Sequence, residues 1–156
     1  MYKYKSLNDK KITEKFFEKF VDREKLKNTT ILYNGYDVCL FDFIKNSRII
    51  LYEEVMEYIK KKFVSNFIIL WNLTQRYVDD NIYNNYKAGE IYRDDLIYIL
   101  KDQQHDMCNN QLCYYNKNRA EFWDLIIFDE TFMWCIAVTH EDNVDGNRLC
   151  FISGTA

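Results

Sequence analysis

The chain has no proline and only four glycines, Gly35, Gly89, Gly146 and Gly154, in 156 residues. Its turns must therefore rest on Asn and Asp, which tolerate left-handed backbone and hydrogen-bond to it locally, and 15 asparagines are on hand for that work. Glycines so few and scattered leave no room for a phosphate-binding loop, a dinucleotide fingerprint or a serine nucleophile elbow. Enzyme classes that depend on such loops are set aside. Long apolar runs are missing too: Phe67 to Trp71 is typical, far short of the roughly 20 residues needed to span a bilayer. The first residues, MYKYKSLNDKK, carry charge and no apolar core, and the five cysteines (Cys39, Cys108, Cys113, Cys135, Cys150) are odd in number. A cytoplasmic protein with free thiols and no disulfide framework is expected.

Aromatic side chains are plentiful, at 17% with 13 Tyr and 11 Phe, and each such ring buries a large area. A chain of this length and composition is expected to fold as one compact domain over residues 1–156. The net charge of −3 conceals an asymmetry. Residues 1–78 hold 15 basic and 10 acidic side chains, whereas residues 79–156 hold 6 and 14. The second half is an acidic module that repels nucleic acid and favours encounter with a basic protein surface.

Hydrophobic spacing predicts a helix over residues 9–26, with Ile12, Phe16, Phe17, Phe20 and Val21 on one face and Asn8 or Asp9 as cap. Two extended segments should follow, Ile31 to Tyr33 and Tyr36 to Ile44, parted by the hairpin-favouring Asn34-Gly35. A second helix carries Tyr52, Val55, Met56, Ile59 and Phe63 on one face, with Lys60-Lys61-Lys62 near its C-terminus. Phe67 to Trp71 reads as a buried strand, so a strand, helix, strand crossover is expected between Tyr36 and Trp71. Residues 73–92 fit a helix or a long loop. A short helix capped by Asp94 or Asp95 reaches Gln104, with Leu96, Ile97, Ile99 and Leu100 as its apolar surface. Three strands close the chain: Phe122 to Phe128, Phe132 to His140 and Arg148 to Ser153. Trp123, Leu125 and Ile127, then Trp134, Ile136 and Val138, alternate along them. The class expected is α+β: an antiparallel sheet ending in a three-stranded meander, with two to four helices packed mainly on one face.

Candidate chemistry is sparse. His105, Cys108 and Cys113 form H-x2-C-x4-C, three zinc donors without a second close-spaced pair; the plain reading is a helix-terminal His beside free thiols, so no metal or other cofactor is expected. His140 and Glu141 could pair as base and carboxylate, but Cys135 lies five residues from His140 on one strand and so points to the opposite face. Asp142 to Asn147 resembles a calcium loop only in having oxygens around a glycine; the alternating acidic positions and closing glutamate are missing. What stands out is a set of acids and tyrosines suited to an interface: Asp79, Asp80, Tyr83, Tyr86, Tyr92, Asp129, Glu130, Glu141, Asp142 and Asp145. The function that fits is a small acidic interaction module that inhibits another macromolecule by steric and electrostatic blocking, as toxin-immunity proteins and phage-encoded anti-defence or anti-CRISPR proteins do. Its partner would be a protein with a basic surface, such as a nuclease or nucleic-acid-binding effector, and neither nucleic acid nor membrane directly. The alternative is an enzyme or small-ligand-binding domain with a site near His140 and Glu141.

Overall fold

The computed structural model describes residues 4–32, 40–71, 86–107, 124–142 and 148–154. In chain order its elements are β1 (Tyr4–Ser6), α1 (Asp9–Phe20), α2 (Arg23–Leu32), a 3₁₀ turn (Leu40–Phe43), β2 (Arg48–Ile50), α3 (Tyr52–Lys61), β3 (Asn66–Trp71), β4 (Lys87–Tyr92), α4 (Arg93–Met107), β5 (Leu125–Phe128), β6 (Trp134–Asp142) and β7 (Arg148–Gly154). The strands form one antiparallel sheet in the order β1-β4-β3-β5-β6-β7-β2. The fold is α+β, and β5, β6 and β7 are the adjacent meander indicated by the alternating pattern.

Both faces of the sheet are covered. Side chains alternate across a strand, so Phe67, Ile69 and Trp71 of β3 join Leu125, Ile127, Trp134, Ile136 and Val138 under α3 and α4. Ile68, Leu70, Ile126, Phe128, Cys135 and Ala137 point the other way and meet Phe16, Phe17, Phe20 and Leu26 of α1 and α2. The helices thus divide between the faces rather than collecting mainly on one, which explains why β3 and β5 read as unbroken apolar runs. Phe16 is wholly buried, its ring centroid 5.2 Å from Phe20 and 5.3 Å from Phe128. A Phe buried to that degree contributes about 1.5–3 kcal/mol.

The predicted helix over residues 9–26 is two helices. Asn8 Oδ1 accepts from Lys11 N at 3.1 Å and starts α1, but Val21 is extended and bridges Ile44. Asp22 Oδ1 then accepts from Lys25 N at 3.1 Å and caps α2. A β-branched residue followed by a good cap thus favours a break where hydrophobic spacing alone continues. Ile31 and Leu32 end α2 instead of opening a strand, and Leu40–Phe43 is a 3₁₀ turn instead of an extended segment. The Asn34-Gly35 turn lies outside the described residues.

The crossover exists, but its first strand is Arg48–Ile50, at the sheet's edge beyond β7. From the antiparallel pairings, β2 and β3 run in the same direction with β5, β6 and β7 between them, and α3 joins them across one face. Glu53 and Glu54 in the first turn of α3, and Lys60 and Lys61 in its last, suit the helix dipole. The strand Lys87–Tyr92 stands where a helix or loop was expected. Its Gly89 is required by close packing: a Cβ there would sit 3.0 Å from the Trp71 ring and 3.1 Å from Tyr4.

Candidate functional site

At one end of the sheet, here termed the top, β3 and β6 begin while β4, β5 and β7 finish. The β4–α4 junction lies there. Tyr92, the last residue of β4, is 50% exposed, and so is Tyr98 on α4. Asp94 is exposed, four residues before Tyr98 and therefore on the same helix face. Leu96, Ile99 and Leu100 turn inward to the core, leaving Asp94 and Tyr98 as a stripe on the outward face of α4, whereas Tyr92, one residue past the inward Ile91, lies on the sheet face opposite α4.

Arg93 fixes the junction. Its backbone N–H donates to Ser65 O at 2.8 Å, and its guanidinium donates to the carbonyls of Lys62 and Val64. One side chain therefore ties the start of α4 to the turn between α3 and β3. From the far side, the Tyr52 hydroxyl donates to Leu100 O, joining α3 to α4.

The β5–β6 turn, also at the top, is organised by Asp129, which is only 5% exposed. Its Oδ1 accepts from Thr131 N at 2.9 Å and from the Thr131 hydroxyl, and its Oδ2 accepts from Trp134 Nε1 at 2.9 Å. Lys62 Nζ lies 4.3 Å from the Trp134 ring centroid. Partial burial pulls the Lys62 pKa below its ordinary value, and the Asp129 charge offsets part of that. Phe132 adopts a left-handed backbone and takes Lys15 Nζ over its ring at 4.5 Å. Gly154 (φ +86°) packs beneath, where an added Cβ would fall 2.2 Å from the Met133 carbonyl oxygen. Met133 itself is 62% exposed.

The candidate residues read from sequence divide accordingly. Two are corrected to the interior: Asp129 serves the turn just described, and Tyr86 is buried with its ring 5.6 Å from Phe17. Tyr92 and Glu130 are exposed at the top. Glu141 is exposed at the opposite end of β6, where Asp142 pairs with Arg148. The sheet therefore separates Glu130 from Glu141 by the length of β6, and the two do not form one acidic patch. Asp79, Asp80, Tyr83 and Asp145 lie outside the described residues. So do Cys108 and Cys113; His105 falls on α4 and His140 on β6. Among the described residues no group of three or more metal-ligating side chains occurs, and no helix is long and apolar enough to cross a membrane.

Cys135 and Cys150 are buried thiols on opposite faces of the sheet. Burial raises both, Cys150 to about 12 despite the nearby Arg148 charge and Cys135 further still. A thiol so held is almost entirely protonated near neutral pH and packs as a small apolar group. Alkylation of the folded protein at mildly alkaline pH, followed by peptide mapping, should leave Cys135 and Cys150 at least about a hundredfold less labelled than in denaturant. Rapid labelling of either in the folded state would contradict this assignment.

Tyr98 and Arg93 are the surface and positioning residues that the sequence pattern did not single out, and Phe63, which the spacing placed on the apolar face of the second helix, is corrected: α3 ends at Lys61 and Phe63 beyond it is fully exposed. Tyr98 could have been found from its i+4 relation to Asp94. Arg93 carried no such signal, because its partners are carbonyls from a distant turn. No protein-family model, curated protein or solved structure matches the chain. The class that the geometry defines is an α+β domain with a seven-stranded antiparallel sheet between two helical layers.

Proposed function

We propose that this chain is a cytoplasmic protein-interaction module that inhibits another macromolecule by covering its functional surface, in the manner of toxin-immunity or phage-encoded anti-defence proteins. The Asp94 and Tyr98 stripe on the outward face of α4 carries the reading. A half-exposed tyrosine stands one helical turn from an exposed carboxylate at the start of α4, and tyrosine contributes large amphipathic area at interfaces for little lost side-chain freedom. Glu130 at the same end, and Asp95 beside Asp94, extend the negative character. A partner suited to this stripe has a basic surface, as a nuclease or nucleic-acid-binding effector has, and the acidic second half of the chain speeds the encounter.

Purification of the tagged chain from its native host, followed by titration of the retained partner with purified variants, provides the test. Tyr98→Ala should weaken binding by about 2 kcal/mol, roughly thirtyfold. Asp94→Lys should lower the association rate and its salt dependence while leaving the circular dichroism spectrum unchanged. Binding indifferent to both substitutions would sink the proposal. A toxin gene, or a cluster of phage inhibitors, beside the coding sequence would separate the two biological settings.

A further inference from the structure

We infer that Phe63 is the apolar anchor of this interface and enters a pocket on the partner protein, an inference that rests on the interaction reading above. Phe63 is completely exposed, at 106% of the reference area, on the turn between α3 and β3. Lys62 and Val64 face inward: Lys62 lies over the Trp134 ring, and Val64 packs on the core. Alternation along this stretch therefore projects Phe63 outward. The two carbonyls that flank it, Lys62 O and Val64 O, both accept from the Arg93 guanidinium. The turn is thus clamped on either side of an aromatic ring that makes no contribution to the core.

Single exposed apolar residues are ordinary on protein surfaces. Phe63 differs because its backbone is fixed by Arg93, the first residue of α4, so the turn that carries the ring is tied to the helix that carries Asp94 and Tyr98. A ring presented in this way loses little freedom on binding. Charge around it selects the occupant. Lys60 and Lys61 precede it on α3, and both are exposed; Asp94 and Asp95 follow Arg93. A polyanionic lipid or nucleic acid surface that attracts the lysines is repelled by the aspartates. A protein pocket with a carboxylate on one rim and basic groups on the other satisfies both.

The experiment uses the full chain with photoreactive benzoyl-phenylalanine in place of Phe63, expressed in its native host, together with titrations of the purified partner. Crosslinking to the protein that the unmodified chain retains, with that complex weakened about a hundredfold by Phe63→Ser and unchanged by Ile49→Ser, is the expected result. A complex sensitive to Tyr98→Ala yet indifferent to Phe63→Ser would overturn the anchor and leave the interaction reading standing. Indifference to Phe63→Ser, Tyr98→Ala and Asp94→Lys alike would overturn both. Phe63-dependent sedimentation with phosphatidylserine–phosphatidylcholine vesicles, without a protein crosslink, would overturn the protein pocket in favour of a lipid surface.

Discussion

Arg148→Ala is expected to destabilise the fold by about 3–5 kcal/mol, through the cavity left by a large buried side chain and the buried carbonyl left without its donor. Arg148 opens β7 and is only 1% exposed. The β6–β7 ladder is regular from Trp134 to Val138 but shifts before Asp142, which pairs with Arg148. Such an irregularity leaves backbone groups without ladder partners. Arg148 Nε donates to Thr139 O at 3.0 Å, within the irregular stretch, while the Thr139 hydroxyl donates to Leu149 O at 2.8 Å and accepts from Glu141 N at 3.2 Å. The guanidinium carbon also lies 6.0 Å from the Tyr52 ring centroid. Arg148→Met retains most of the volume but supplies no donor to Thr139 O, so it should cost about 1–2 kcal/mol less than alanine. Urea unfolding followed by tryptophan fluorescence measures both. Equal losses for the two variants would show that the packed stem contributes nothing.

The three C-terminal strands were legible because they combine period-two spacing with acidic turns, and β3 because Phe67 to Trp71 admits no polar residue. β4 was hidden by its composition. Lys87, Gly89 and Glu90 have low strand preference, and the segment is extended because β1 and β3 hydrogen-bond to it on both sides. The second helical layer was equally invisible. In a meander, alternation marks one buried face, but Ile126, Phe128, Cys135 and Ala137 between the marked positions are themselves apolar, and only that detail signals that the other face is covered too.

The site was less legible than the fold, for an electrostatic reason. Asp129 and Glu130 are neighbours in sequence and identical in charge, yet Asp129 is enclosed by the donors it accepts from while Glu130 faces solvent. Whether a carboxylate steers a partner or caps a turn depends on which donors the chain brings to it, and Trp134 Nε1 arrives from the next strand. Tyr86 and Tyr92 make the same point among aromatics. One packs on Phe17 and the other remains half exposed, although composition treats them alike.

Asp129→Ala carries the second large expectation, a loss of about 3–4 kcal/mol. Hydrogen bonds to a charged acceptor contribute roughly 1.5–3 kcal/mol each and are not additive. This carboxylate accepts from the Thr131 N–H and hydroxyl and from Trp134 Nε1, and its loss would leave the indole donor buried without an acceptor. Asp129→Asn keeps one acceptor oxygen and should recover about half of the loss. A changed Trp134 emission should accompany the alanine variant. Its pH dependence should change as well. Lys62 has a folded pKa below the ordinary 10.5 because of burial, and Asp129 restrains that depression. Between the folded and unfolded values the unfolded chain binds more protons, so stability rises with pH through that window. Without Asp129 the folded value drops further and the window widens downward from 10.5, so the variant should gain more stability than the parent between neutral pH and pH 10.5. Denaturation midpoints at the two pH values test the sign. An identical gain in parent and variant would show that Asp129 and Lys62 are not electrostatically coupled.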